Sequence, residues 1–213
     1  MALWHRRRDG SRKRDQTIEL SIVVARDAHQ TGRMSYEQYE HHLREVIAHA
    51  DPRSVGFAAA HLGILMGDRG RELEAEHWYR EAIRGACEEV KAPAATNLAV
   101  LLVGRGRLAE AEALLRHVMT QPDPVAAAKA AHNLGGLLAD QGRTQQALDV
   151  LRHAIDSGHP DESVGALLLI GRIRMRQRQT EGARLAFEQV VASKHPEYSR
   201  QAYQYLSELG RGF

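Results

Sequence analysis

The sequence predicts an all-α protein built as a solenoid of stacked helix-turn-helix repeats. The same residue types recur four times at a spacing of thirty-six residues, and such a period is typical of stacked supersecondary units. Within each unit, apolar residues recur every three to four positions, as they do on one face of an α-helix. Alanine, leucine, glutamate, arginine and glutamine dominate the composition, and all are good helix formers.

Four positions define the register of the repeat. The first helix carries a large residue followed by a small one, in Leu62-Gly63, Leu98-Ala99, Leu134-Gly135 and Ile170-Gly171. Eight residues after the large residue comes the turn, at Gly70, Gly106, Gly142 and Arg178. The second helix carries an alanine, at Ala75, Ala111, Ala147 and Ala183. Four residues later it carries a large apolar residue, at Tyr79, Leu115, Leu151 and Phe187.

The third repeat shows why each unit is a helical hairpin. Leu134 and Leu138 lie one helical turn apart, and Gly142 then interrupts the pattern. Ala147 and Leu151 resume the helical spacing after it. Because one hairpin cannot bury its apolar face alone, the next repeat must cover that face.

The residues of this register resemble the tetratricopeptide repeat, which pairs leucine-glycine on its first helix with an alanine and a later phenylalanine on its second. The third copy reads Leu134-Gly135-x-x-Leu138 and then Ala147-x-x-x-Leu151. The period exceeds the usual one of about thirty-four residues, and the segment Trp78–Ile83 looks like the related Sel-like repeats. The resemblance covers about residues 52–210. It implies a right-handed solenoid whose first helices line a concave groove that binds partners.

The last full repeat departs from this pattern at two positions. Arg174 stands where the other repeats have an apolar residue, and Arg178 replaces the turn glycine. A left-handed turn conformation favours glycine. These departures predict an irregular last repeat.

Ahead of the regular repeats, residues 16–51 predict a divergent helical hairpin. Apolar residues that begin at Ile18 open a helix that Gly32 ends. Ser35-x-x-Gln38 then has the form of a capping box at the start of a second helix. An unrelated cap is the alternative interpretation of this segment.

The repeat domain with its capping helix is predicted over residues 52–213. Prolines mark the expected starts of first helices, where their missing N–H costs nothing: Pro52, Pro93, Pro124, Pro160 and Pro196. At the end of the domain, Ser199–Leu209 predicts a single helix that covers the last hydrophobic face.

Positive charge is concentrated in residues 1–15. Six cations outnumber two acids there, so this segment carries a net charge of +4, whereas the whole chain carries +2. The segment has too little apolar content to order itself, and it predicts a disordered basic tail. Such a run can also bind RNA, DNA, anionic lipid or an acidic partner.

The sequence further predicts a cytoplasmic protein of bacterial origin. The apolar stretch Ile18–Ala25 has only eight residues, contains Glu19 and Ser21 and lacks a small-residue cleavage site, so a signal peptide is not expected. No segment approaches the length of a membrane span. Cys87 is the only cysteine, which suits a reducing compartment. Twenty-five arginines against four lysines indicate a GC-rich bacterial coding sequence.

No residue pattern predicts catalysis, a cofactor or a metal. Cys87 has no assignable histidine partner, so it is interpreted as a structural thiol. His117 and His153 share a register on successive second helices, but neither has the i, i+4 histidine of a helical metal site. We therefore expect a protein that is not an enzyme.

The candidate binding residues lie on the first helices. The repeat register and the family resemblance place six polar side chains on the inner surface: Asn97, Lys129, His132, Asn133, Arg172 and Arg176. Asn97 and Lys129 match two positions of the carboxylate clamp found in some family members, whereas Ala60 and Ile64 do not match. Arg172 and Arg176, one helical turn apart, suit an anionic or acidic partner.

The sequence predicts a protein-interaction scaffold or adaptor that binds a peptide or helix of a partner in the concave groove. The alternative is a regulatory protein that associates with RNA or DNA through its arginine-rich tail. The near-neutral body disfavours this alternative, because phosphate binding uses many cations together. The partner and the oligomeric state do not follow from the sequence.

Overall fold

A computed structural model describes residues 17–85 and 87–210, and the predicted basic tail lies outside these ranges. The described residues form eleven helices and no strand, which confirms the all-α prediction. Helix α1 covers residues 17–30. The others are α2 (Tyr36–His49), α3 (Pro52–Asp68), α4 (Glu72–Arg84), α5 (Glu88–Gly104), α6 (Leu108–Met119), α7 (Pro124–Asp140), α8 (Thr144–Asp156), α9 (Pro160–Arg176), α10 (Thr180–Ala192) and α11 (Pro196–Gly210).

The helices fall into two compact units that divide between Leu101 and Leu102, within α5. In the first unit, α2 packs on α3 and α3 packs on α4. In the second unit, α7 contacts α6, α8 and α9, and the chain continues through α9 and α10 to α11. In each unit, helices that follow one another along the chain pack together through short connections.

Four of the five prolines expected to mark helix starts do begin a helix. Pro52, Pro124, Pro160 and Pro196 are each the first residue of their helix. The prediction for Pro93 is wrong, because α5 begins five residues earlier, at Glu88. The longer helix buries Val90, and this burial offsets the backbone hydrogen bond that proline cannot donate.

Within a hairpin, a glycine on the first helix seats a large side chain from the second. A Cβ added to Gly135 would overlap the side chain of Leu151, and one added to Gly171 would overlap Phe187. Leu134 and Leu151 are fully buried. Close helix contact therefore depends on these glycines and on the residues that fill the space above them.

The last full repeat is regular, which corrects the prediction of irregularity. Arg178 adopts the left-handed conformation of a turn glycine, with φ +59°, compared with +73° at Gly142. The Arg174 guanidinium donates a hydrogen bond to the Gly182 carbonyl at 3.1 Å. The Arg178 backbone therefore adopts a strained conformation at the turn. The Arg174 guanidinium finds a hydrogen-bond partner at the edge of the hairpin.

The predicted capping box at the start of α2 is confirmed. The Ser35 hydroxyl accepts a bond from the Gln38 N–H at 3.2 Å, and the Gln38 side chain accepts one from the Ser35 N–H at 2.8 Å. Gly32 takes a left-handed conformation after α1, with φ +72°. Both features agree with the local sequence signals for a helical hairpin.

Candidate functional site

Five of the six candidate residues lie on two packed helices of the second unit. Lys129, His132 and Asn133 occupy α7, and Arg172 and Arg176 occupy α9. We call this surface the α7–α9 face. Asn97 lies half-buried on α5, in the part that belongs to the first unit. Its participation in a common site remains a prediction.

Helical spacing explains why Lys129 and Asn133 lie outside the core. Ala131, Leu134 and Leu138 are fully buried on the side of α7 that packs on α8. Lys129 and Asn133 are one helical turn apart and project from the opposite side. Lys129 is exposed and Asn133 is half-buried. The sequence periodicity therefore places them on an accessible surface.

His132 lies below this surface, in the contact between helices. A Cβ added to Gly165 of α9 would overlap the His132 ring and approach the Tyr198 hydroxyl of α11. Nδ1 of His132 lies 3.5 Å from Oε2 of Glu162, which is long for a hydrogen bond. Burial lowers the pKa of His132, and Glu162 only partly opposes this effect. Burial therefore favours the neutral form of His132, whose ring packs between α7 and α9.

The cations of the α7–α9 face differ in their partners. Arg176 pairs with Asp140 of α7 at 3.7 Å, and both side chains are largely exposed. Within the described ranges, neither Lys129 nor Arg172 forms an ion pair. An exposed pair such as Arg176 with Asp140 contributes little to stability. The face thus offers Lys129 and Arg172 as donors to an incoming anion.

Sequence reasoning missed the acidic residues at this face. Glu162 approaches His132, and Asp161 lies 3.4 Å from Nε2 of His195. Asp161 and Glu162 occupy the first turn of α9, where acidic side chains interact favourably with the helix dipole. Their position after Pro160 was the available signal. The face therefore has an acidic region near the start of α9 and a basic one near its end.

None of the residues considered for chemistry belongs to α7 or α9. Cys87 is fully buried, and this burial raises the pKa of its thiol to about 11. His117 and His153 are exposed on α6 and α8. Across residues 17–85 and 87–210, histidine, cysteine, aspartate and glutamate side chains form no group of three that could hold a metal ion.

A comparison with protein families identifies the repeat. Residues 94–120 and 127–158 match the sequence profile of the tetratricopeptide repeat. Over these two segments the chain is similar to tetratricopeptide repeats. The matched residues include Leu134, Gly135 and Leu151, which lie in the contact between the two helices of the third hairpin. The sequence resemblance is therefore confirmed both by the profile and by the packing of these residues.

Several solved structures have a similar fold. PilW, described as a widely conserved type IV pilus biogenesis factor, is 19 % identical, with a TM-score of 0.69 over 93 % of this chain and 94 % of its own. PilF of Pseudomonas aeruginosa is 17 % identical, with a TM-score of 0.69 over 96 % and 95 %. YrrB, described as a TPR protein with an unusual peptide-binding site, is 15 % identical, with a TM-score of 0.58 over 86 % and 90 %. The TM-scores support a shared α-solenoid fold.

No curated protein sequence matches this chain. Of the helices in the described ranges, none combines the length and the apolar character that a bilayer crossing requires.

Proposed function

We propose that this protein is a non-enzymatic scaffold that binds a peptide or helix of another protein along its first helices. One observation carries the proposal. Lys129 and Arg172 lie on helices that pack together, and neither forms an ion pair within the described residues. A cationic side chain without a partner at an accessible face is available for a charge-assisted hydrogen bond. Tetratricopeptide proteins bind protein or peptide partners, and YrrB is described as having a peptide-binding site.

The proposed partner carries carboxylates. Lys129, Asn133 and Arg172 supply donors for acidic side chains or for a chain-terminal carboxylate, and Asn97 on α5 is a further candidate donor. Arginine can hold a carboxylate through two parallel hydrogen bonds. Glu162 disfavours an anion near the start of α9, so the acidic part of the ligand belongs beside Arg172 and Arg176.

The same proposal places the protein in the cytoplasm. Cys87 is a free buried cysteine, and it is the only cysteine in the chain. A protein without disulfides is suited to a reducing compartment. Fractionation of the source cell, with detection by an antibody, tests this location.

Charge reversal tests the α7–α9 face. The double substitution Arg172→Glu and Arg176→Glu removes two donors and adds repulsion, so it should weaken capture of the partner at least about ten-fold, or about 1.4 kcal/mol. The partner is first recovered by affinity capture from the source cell and then titrated against each variant by calorimetry. The melting temperature of the variant should remain close to that of the unmodified protein, because exposed charges contribute little to stability.

The matched control reverses two arginines on second helices. Arg116 and Arg152 are exposed and pair with residues of their own helices, Glu112 and Asp149. The double substitution Arg116→Glu and Arg152→Glu should leave capture intact. If it abolishes capture while the α7–α9 variant still binds, the partner uses the second helices and the proposal is wrong.

A salt titration distinguishes protein binding from the nucleic-acid alternative. Binding to a labelled single-stranded RNA that falls steeply with salt and disappears when residues 1–15 are deleted would indicate a nucleic-acid function of the tail. Under the proposed function, that deletion leaves capture of the protein partner unchanged.

A further inference from the structure

Helix α11 has the register of a first helix. It begins with Pro196, as α9 begins with Pro160. Ala202 is fully buried, as is Ala166 thirty-six residues before it. One side of α11 contributes Ala202 to a core with Phe187 and Val164. By position and packing, α11 begins a further repeat.

The opposite side of α11 corresponds to the side of α7 and α9 on which the second helix packs. We call the small residue that receives the large side chain of the second helix the seat. In the two preceding repeats this seat is a glycine, Gly135 or Gly171, on which Leu151 or Phe187 rests. Ser207 holds the same register, thirty-six residues after Gly171, and it is exposed. The described part of the chain places no helix over this seat.

Side chains around the seat confirm that it is open. Tyr203 is 61 % exposed, whereas Ala131, at the same register of α7, is fully buried. Tyr203 and Ser207 line an open depression together with Arg200, Gln204 and Glu208. Arg200 makes no ion pair with any residue that the structure describes. This side of α11 therefore presents, in a row, the small side chain of Ser207, the aromatic ring of Tyr203 and the guanidinium of Arg200.

Helix α1 exposes a matching row. Leu20 is 61 % exposed and Val24 is 59 % exposed, although both are large apolar residues. Asp27 follows on the same side and is also exposed. Among the described residues it pairs only with the adjacent Arg26, at 3.0 Å, an exposed contact of little energetic value.

The two rows are complementary when the helices run antiparallel. On α11 the seat, ring and cation lie at Ser207, Tyr203 and Arg200, with steps of four and three residues. On α1 the residues Leu20, Val24 and Asp27 have the same steps in the opposite direction. Leucine is already the residue that fills such a seat in the third repeat. Antiparallel packing is also how each second helix covers its first.

We propose that α11 of one copy binds α1 of a second copy, with Leu20 on Ser207, Val24 against Tyr203 and Asp27 beside Arg200. The contact joins two different surfaces, so each copy keeps one unused surface and association can continue head to tail. A single helix pair buries less than a standard protein interface. Association is therefore weak and depends on concentration.

Complementation between two variants tests the proposal by sedimentation velocity. Leu20→Asp disables α1, and Ser207→Arg disables α11. Both positions are exposed, so both variants should fold, and each alone should be monomeric at concentrations where the unmodified protein associates. An equimolar mixture should form a one-to-one dimer and stop there, because only one intact α1 and one intact α11 remain to meet. Unmodified protein that stays monomeric up to its solubility limit, or a mixture that stays monomeric, would overturn the proposal.

A charge exchange tests the alignment of the helices. Arg200→Asp should weaken association at least about five-fold, because it places two carboxylates side by side. Adding Asp27→Arg to the same chain restores an opposite-charge pair and should recover most of the affinity. Failure of the second substitution to recover association would contradict the pairing of Asp27 with Arg200.

Discussion

The third repeat and the last full repeat, α7 with α8 and α9 with α10, reach the same geometry with different residues. Their first helices have 17 residues each and their second helices 13. The third repeat turns at Gly142, whereas the last turns at Arg178. The turn N–H bonds are nevertheless equivalent: Arg143 donates to Leu138 and Gln179 donates to Arg174, both at 2.9 Å. The turn residue therefore does not decide whether the hairpin forms.

Core contacts explain why the last repeat tolerates an arginine in its turn. A non-glycine residue in the left-handed region costs roughly 1–2 kcal/mol. Phe187, seated on Gly171, is fully buried and stacks on Tyr205 of α11 with ring centroids 5.0 Å apart. Complete burial of one such side chain contributes about 1.5–3 kcal/mol. The two contributions are of similar magnitude, so burial of Phe187 can offset the strain at Arg178.

A second difference concerns how each second helix is tied to the one before it. The Arg143 guanidinium, at the start of α8, donates to the Glu112 carboxylate of α6 at 2.5 Å and 3.0 Å. In the last repeat, Gln179 and Leu148 hold these positions, so this pair cannot form. The first unit uses the same device, with Arg71 bound to Glu40 at 2.9 Å. The last repeat relies on apolar packing where earlier ones add an ion pair.

The largest predicted effect comes from truncating the seated residues. Leu151→Ala should lower the free energy of unfolding by roughly 2–5 kcal/mol and Phe187→Ala by roughly 3–5 kcal/mol, because each leaves a cavity over its glycine. Urea denaturation followed by circular dichroism measures both. A loss below about half a kilocalorie for either variant would contradict the repeat register.

Exchanging the turn residues should produce effects of opposite sign. Gly142→Val places a β-branched residue in the left-handed region and should destabilise the protein by about 1–3 kcal/mol. Arg178→Gly relieves the strain at the equivalent position and should stabilise it by up to about 1 kcal/mol. Thermal melts of the two variants provide the comparison. Destabilisation by Arg178→Gly would show that the arginine side chain makes a contribution beyond its backbone.

Much of the fold could be predicted from the sequence because the repeat is a packing pattern. Residues equivalent to Leu134, Gly135 and Leu151 recur at a fixed spacing, because the two helices of each hairpin pack through the same contact. The early start of α5 could not be predicted in this way, because Pro93 suggested a helix start and the burial of Val90 depends on tertiary structure.

The candidate site was less predictable than the fold. The exposed position of Lys129 follows from helical periodicity alone. The approach of Glu162 to His132 depends on how far α9 is shifted along α7. The residue pattern of one helix gives no information about this shift. The ion pair between Arg143 and Glu112 did leave a signal, because the same residue types stand at the same positions of the first unit, in Arg71 and Glu40.

The smallest predicted effect concerns the ion pair that the last repeat lacks. The hydrogen bond from Arg143 lowers the pKa of Glu112 below its ordinary value of 4.5. A carboxyl group whose pKa is lowered by folding stabilises the folded state above its unfolded pKa and loses this contribution as the pH falls through its folded pKa. Glu112→Gln should therefore cost up to about 1 kcal/mol at pH 7, and the difference from the unmodified protein should shrink below about pH 4.

Asp149→Asn is the matched control for this prediction, because Asp149 pairs with Arg152 on the same helix, at 2.6 Å, and joins no two helices. The control should cost less than Glu112→Gln, and both losses should diminish at high salt, where exposed pairs are screened. Urea titrations of both variants at neutral and acidic pH supply the four free energies. If the two substitutions cost the same at pH 7, the pair between helices adds nothing beyond an ordinary surface contact. The comparison of the two repeats would then reduce to their cores and turns.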